Sequence, residues 1–293
     1  MTKQPITILI TGRNGQLGSE LQDLAAQYLN THFVNLSKEQ LSITDKNAVY
    51  NCFQEYKPQY FINCAAYTAV DKAEEEQDVA FAINAEAPGY IASMCTNYNC
   101  KLVHISTDYV FDGSGSDPLS EDHTVNPINL YGASKLEGER LVAQNNPDSI
   151  ILRTSWVYSA YGKNFVKTMM RLMREKDNIN VVSDQVGSPT YAADLAQVIL
   201  QIIHSGDWLR GIYHYSNEGV ISWYDFALAI KELTGAGCSV RPISTDQYPT
   251  PAKRPLWSVM SKEKIKQDYK IEIPYWKDSL KRCVSLINKE FLK

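Results

Sequence analysis

Long apolar runs are missing from this chain of 293 residues, and with them any span of the roughly 20 residues that carry a helix across a bilayer. A basic surplus is missing too. The 29 lysines and arginines face 33 aspartates and glutamates, a formal charge of -4, so no cationic field awaits nucleic acid or an acidic membrane. The six cysteines (Cys52, Cys64, Cys95, Cys100, Cys238 and Cys283) contain no CxxC pair, which leaves reduced core residues as the expectation rather than a metal or dithiol site. No metal-ligand motif, internal repeat or low-complexity tract is legible. No basic start with an apolar signal core precedes the first strand-like run, so a cytoplasmic protein is expected. What is present is ordinary: 44% hydrophobic and 21% charged residues, enough for one large domain or two modest ones around a small-molecule site.

Short apolar runs at 6–10, 32–36, 60–63, 102–106 and 149–153 read as strands. Helix-period stretches at 16–29, 45–56, 78–97 and 131–144 separate them. A crossover helix between successive strands implies an α/β fold with a doubly wound parallel sheet of the Rossmann type, whose ligands bind beyond the carboxyl ends of the strands. After Thr154 the rhythm loosens, with helices expected at 164–174, 191–203, 222–233 and 277–288, and an irregular segment over the four prolines of 242–255. The expected division is a nucleotide-binding domain over 1–153, joined by a returning segment near 179–204. A smaller α/β substrate-binding domain would take 154–178 and 205–293.

The first strand runs into Thr11-Gly12-Arg13-Asn14-Gly15-Gln16-Leu17-Gly18 and then a helix. Gly12, Gly15 and Gly18 leave the backbone bare, so that a dinucleotide's pyrophosphate can approach the free N–H groups at the helix start. The second strand ends Asn35-Leu36-Ser37-Lys38, without the usual carboxylate for the ribose hydroxyls, and Glu39 is expected to lie too far on. NADPH is therefore the expected cofactor, with NADH accepted; Lys38 faces either a 2′-phosphate or solvent.

Tyr131-Gly132-Ala133-Ser134-Lys135 places a phenol and an ammonium four residues apart on one helix face. Reduction of a ketone needs a proton at the carbonyl oxygen. A tyrosine with a pKa of ~10 supplies it faster when a lysine cation favours the phenolate. The strand at 102–106 leads into Ser106-Thr107-Asp108-Tyr109-Val110-Phe111, which puts the Thr107 hydroxyl where the crevice should be. Beyond the third strand, Cys64-Ala65-Ala66-Tyr67-Thr68 is small enough to let a flat ring lie close.

With these motifs the chain resembles the extended short-chain dehydrogenase/reductases, and among them the dTDP-4-dehydrorhamnose reductase group, over nearly its whole length. Ala69-Val70-Asp71-Lys72-Ala73-Glu74, Arg153-Thr154-Ser155-Trp156-Val157-Tyr158, Asp184-Gln185-Val186-Gly187-Ser188-Pro189-Thr190 and Lys253-Arg254-Pro255 also carry the likeness. The resemblance implies Tyr131 as proton donor, Lys135 as its electrostatic partner and ribose ligand, and Thr107 as the hydroxyl that tunes the site. It implies Gly15, Gln16 and Leu17 at the pyrophosphate, Ile43 at the adenine, and Ala65, Ala66 and Tyr67 at the nicotinamide half. Thr68, Thr107, Asp108, Tyr109 and Trp156 would line the sugar pocket, with Arg254 meeting a diphosphate or forming a surface ion pair. The implied activity is reduction of a dTDP-4-keto-6-deoxysugar at C4 to dTDP-L-rhamnose, by a monomer or homodimer. A reductase forming another dTDP-6-deoxysugar, or a non-catalytic regulatory subunit of a methionine adenosyltransferase, would share much of the pattern. Two departures stand out: Ser42 replaces an acid before Ile43, and Trp257 stands where an asparagine is common, which would reshape the diphosphate end of the pocket.

Overall fold

In the computed structural model, which describes residues 5–291, the five expected strands form β1 (Ile6–Thr11), β2 (Thr31–Leu36), β3 (Tyr60–Asn63), β4 (Lys101–Thr107) and β5 (Ile150–Thr154). They lie in one parallel sheet in the order β2-β1-β3-β4-β5, and a sixth parallel strand, Gly211–Tyr215, adds beside β5. Helices cover both faces, which is why the strands are apolar almost without interruption. Alternation decides which side each residue serves. Ile8 and Ile10 pack under the Gln16–Leu24 and Ala192–His204 helices, while Leu9 points the other way, toward Val49, Phe53, Ile91 and Val142. The chain order reverses between β1 and β3, and a crevice opens at that point beyond the strand ends.

A second core lies outside the sheet. Met169, Met170 and Met173 of the Phe165–Glu175 helix meet Phe226 and Ile230 of the Trp223–Thr234 helix, together with Leu280 and Val284 of the Trp276–Phe291 helix. Ile179 and Val181 join them from the strand Asn178–Val182, which pairs in parallel with Ser239–Ile243.

Several expectations need correction. The segment 205–293 does not stay in the smaller part: Tyr213 and Tyr215 belong to the sheet, and Ile265 and Tyr269 of the Glu263–Tyr269 helix pack against it. Conversely, Ile179 and Val181, placed in the returning segment, are buried in the second core. The segment expected to be irregular over 242–255 is so from Ser244 on, apart from a single turn at Thr245–Gln247, but Pro242 and Ile243 lie in a two-stranded ribbon, where Pro242 sits opposite Val181 and an edge strand tolerates a missing N–H. The single helix expected over 78–97 divides into Gln77–Phe81, a wide π turn at Ala82–Glu86, and Ala87–Asn97. Pro88 explains the wide turn, since it has no N–H to return to the carbonyl of Asn84 four residues earlier.

Candidate active site

The crevice begins where β1 ends. Gly12 adopts φ +76°, and a Cβ there would lie 2.9 Å from the backbone of Cys64 and Ala65, so only glycine lets the two strand ends approach. Gly15 caps the Gln16–Leu24 helix without a side-chain hydrogen bond, leaving the first N–H groups free to receive an anion. From there a cleft of about 820 Å³ runs along the strand ends, lined by Gly12, Gly15, Ile43, Ala65, Ala66, Tyr67 and Thr68. Uncapped helix N–H groups at one end and small apolar side chains along the wall fit a dinucleotide.

Two details differ from expectation. Glu39 is not too far on: the chain turns sharply after Leu36, with Gln40 N–H donating to the Ser37 carbonyl over 3.1 Å, and Lys38 and Glu39 both line the cleft. Gln16 turns its side chain outward. Its amide donates to the Val157 carbonyl (3.3 Å) and accepts from Asn164 (3.0 Å), leaving only its backbone N–H for a phosphate.

The helix Leu130–Asn145 brings Tyr131 and Lys135 to the end of β4. Asn129 caps it, accepting from Gly132 N–H (2.7 Å), and the Glu74 carboxylate accepts from Leu130 N–H (2.9 Å). A cap of this kind stabilises a helix start by about 1 kcal/mol. Gly132 is required by contact: a Cβ there would come within 2.2 Å of the Tyr109 carbonyl oxygen. The half-buried Tyr131 ring then meets Tyr109 edge to face, with centroids 5.6 Å apart. Burial pushes the Tyr131 phenol up to about 12; the Thr107 hydroxyl, within hydrogen-bonding reach, opposes this, and Asp108 adds to it. The expectation of a phenol held down by lysine is thus not met in the free protein, where desolvation dominates. Lys135 donates to the Ile105 carbonyl over 2.6 Å, and burial lowers it to about 8 against the pull of Glu139 and Cys64.

Thr107 and Asp108 are both buried at this point. Thr107 Oγ1 donates to Asp108 Oδ1 (3.0 Å) and accepts from Tyr109 N–H (3.2 Å). Burial lifts the Asp108 carboxyl to about 7, against the pull of the Thr107 and Ser258 hydroxyls beside it.

The outer residues divide. Trp156, with φ +47°, stacks on Trp223 at a centroid distance of 3.6 Å, so one face is taken by the second core. Arg254 is held by Asp71 through two bonds of 3.0 and 2.8 Å, which selects the ion pair in the free protein. The Trp257 indole N–H donates to the Asp117 carbonyl, and the ring packs against the small cluster that contains Phe111 and Leu119.

Sequence reasoning missed Asn84. Its side chain accepts from Tyr67 N–H (2.9 Å) and donates to the Tyr67 carbonyl (3.0 Å) and to Ser134 Oγ (3.0 Å), tying the cleft wall to the Tyr131 helix. A lone asparagine in the apolar stretch Phe81-Ala82-Ile83-Asn84-Ala85 was the available signal. Also missed was the buried pair Glu139–Arg153 behind Lys135, at 2.7 Å.

A parallel sheet with a cleft at its switch point, and a tyrosine, lysine and threonine gathered near it, define the class as that of Rossmann-type reductases. Within that class the chain belongs to the RmlD substrate binding domain family, whose model matches residues 6–288. A dTDP-4-dehydrorhamnose reductase of Aggregatibacter actinomycetemcomitans is 43% identical over 94% of this chain and 97% of its own. The crystal structure of a dTDP-4-dehydrorhamnose reductase from Clostridium acetobutylicum superposes with a TM-score of 0.92 at 44% identity, covering 97% of this chain and 100% of that one. One from Bacillus anthracis, solved in complex with NADP, gives 0.92 at 41% identity, covering 96% and 99%. Among the described residues no helix is long and apolar enough to cross a membrane, and no acidic, histidine or cysteine cluster could hold a metal.

Proposed function

We propose that this protein is a cytoplasmic reductase that converts the C4 keto group of dTDP-4-dehydro-L-rhamnose to the alcohol of dTDP-L-rhamnose, using NADPH and accepting NADH. The observation that carries the reading is the gathering of Tyr131, Thr107 and Asp108 at the end of β4, beside the cleft and in a chain of this family. The sheet would carry the cofactor and the second core would wall the sugar. Gly12, Gly15, Gln16, Leu17 and Gly18 would hold the pyrophosphate through backbone N–H groups, and Ile43 would pack on the adenine. Ala65, Ala66, Tyr67 and Lys135 would seat the nicotinamide half. When bound, the reduced nicotinamide supplies the hydride.

Tyr131 then gives its proton to the oxygen of the substrate carbonyl, with Thr107 polarising the same oxygen. The high phenol value of the free protein keeps that proton in place until charge develops on the substrate oxygen. Thr68, Tyr109 and Trp156 line the sugar, and Arg254 reaches a diphosphate only by exchanging Asp71 for it.

The test is oxidation of NADPH on addition of dTDP-4-dehydro-L-rhamnose, with the sugar product identified by NMR. Tyr131→Phe should lower kcat by about 100-fold to 10,000-fold and leave NADPH affinity nearly unchanged. Normal turnover by that variant would refute the assignment, and a product with the other C4 configuration would replace dTDP-L-rhamnose by its C4 epimer, with the substrate unchanged.

A further inference from the structure

On the reductase reading above, we infer that Asp108 sets the direction of the Thr107 hydroxyl and resupplies the proton that Tyr131 gives up, so that the enzyme turns over with Asp108 protonated. The Thr107 hydroxyl has one proton and two lone pairs. It spends the proton on Asp108 Oδ1 at 3.0 Å and accepts from Tyr109 N–H at 3.2 Å, with the Tyr131 phenol within hydrogen-bonding reach. In that arrangement Thr107 has no proton left to donate to a substrate carbonyl or to the Tyr131 oxygen.

Protonating Asp108 reverses the chain of donors. The acid then donates to Thr107 Oγ1, and the threonine proton turns toward the reacting oxygen and the Tyr131 oxygen beside it. Asp108 is built for this change. It is 2% exposed, and although the Ser258 hydroxyl and the Asp108 and Tyr109 N–H groups lie near the carboxyl, its Oδ2 is buried without a well-formed hydrogen bond, so that burial outweighs them and favours the acid. Tyr109 on the same turn, Tyr131 from the Leu130–Asn145 helix and Ser258 from the loop after Pro255 face it. The charge of Arg254, which reaches Tyr109, is tied to Asp71, and the Lys135 ammonium is turned to the Ile105 carbonyl.

The protons balance. Hydride adds to the carbonyl carbon, the C=O π pair becomes a lone pair on oxygen, and the Tyr131 O–H breaks as the product O–H forms. The phenolate takes the Thr107 proton, Thr107 takes the Asp108 proton, and the Asp108 carboxylate is reprotonated by water once product leaves. Asp108 therefore acts through Thr107 and Tyr131 as a positioning residue that also stores the proton.

Two measurements test this. In infrared spectra of the protein without cofactor, a protonated-carboxyl band should titrate near pH 7, where burial places this acid, and be missing from Asp108→Asn. In single-turnover NADPH oxidation, the wild-type rate should fall about tenfold per pH unit above that point. Asp108→Asn, whose amide donates to Thr107 but cannot pass a proton on, should lose that limb in a single turnover and fall at least about tenfold in steady-state kcat at pH 6, where the phenol must be reprotonated in every cycle. Thr107→Val leaves the acid intact but cut off from the phenol, and should lose the limb as well, whereas Thr107→Ser should retain it. NADPH affinity, measured by fluorescence, shows that each variant is folded. An unchanged limb in Asp108→Asn, or a band titrating like an exposed carboxylate, overturns the inference while turnover itself stands. A wild-type enzyme that never oxidises NADPH with the keto sugar overturns the reductase reading, and the inference with it.

Discussion

Asp108, Tyr131 and Lys135 each carry a titration moved by burial, and the direction of each move bears on stability as well as on chemistry. For Asp108 the folded value of about 7 lies above the ordinary 3.8. Below about pH 4 both folded and unfolded chains hold the proton, and burial has no charge to penalise. As pH rises toward 7 the unfolded chain ionises first, so stability falls, and above 7 the full penalty applies. Asp108→Asn is therefore expected to unfold at higher denaturant concentration than wild type at pH 8, with the gap closing toward pH 4; a gap independent of pH would contradict the buried acid. In sequence, Thr107-Asp108-Tyr109 was legible as a place for a polarising hydroxyl, because it follows a strand. That the aspartate would lack a cation was not legible. Arg254, the natural candidate, lies 146 positions away along the chain, and its pairing with Asp71 depends on how the loop folds back.

At the level of elements, the Tyr131 helix is fixed by contacts that have no local sequence signature. Glu139, two turns along that helix, and Arg153 of β5 form an ion pair with side chains each 3% exposed, joined by Ser106 Oγ at 2.5 Å. Removing one partner strands a buried charge at a cost of about 3–5 kcal/mol, whereas replacing both by apolar residues is often near neutral. Arg153→Leu and Glu139→Leu should each lower stability by that amount in urea unfolding, and the double variant by clearly less than their sum. Additive losses would show that the pair does not act as a unit. The strands and most helices were legible from alternation and period, since each is decided by which face must be buried. The π turn at Ala82–Glu86 was not, because it joins a local cause, Pro88, to a distant one: Gly138, where a Cβ would lie 2.0 Å from the Asn84 carbonyl oxygen.

Across the whole molecule, the helix that begins at the glycine turn, Gln16–Leu24, is also the joint between the two cores. Ser159 Oγ donates to the buried Glu20 (2.6 Å), Tyr161 to Asp23 (2.5 Å) and Asn164 to Gln16 (3.0 Å), so that helix is also held along the flank beside its sheet-packed Leu17 and Leu21. Burial, opposed by the Ser159 hydroxyl, raises the Glu20 carboxyl, which makes that bond costly to lose. Calorimetry should show one cooperative transition for the wild type, and two separated transitions for Ser159→Ala combined with Asn164→Ala. A single transition in the double variant would place the coupling elsewhere, for instance in Asp194, which Asn217, Ser279 and Arg282 all meet. The sequence by itself determined the parallel sheet, the glycine turn over a helix start and the pairing of Tyr131 with Lys135 on one helix face, because period and backbone sterics act over a few residues. Only the tertiary structure decided that Glu39 reaches the cleft, that Arg254 binds Asp71, that 211–215 extends the sheet and that Asp108 is left without a cation. Those outcomes depend on which distant groups exclude water together, and no local pattern encodes that.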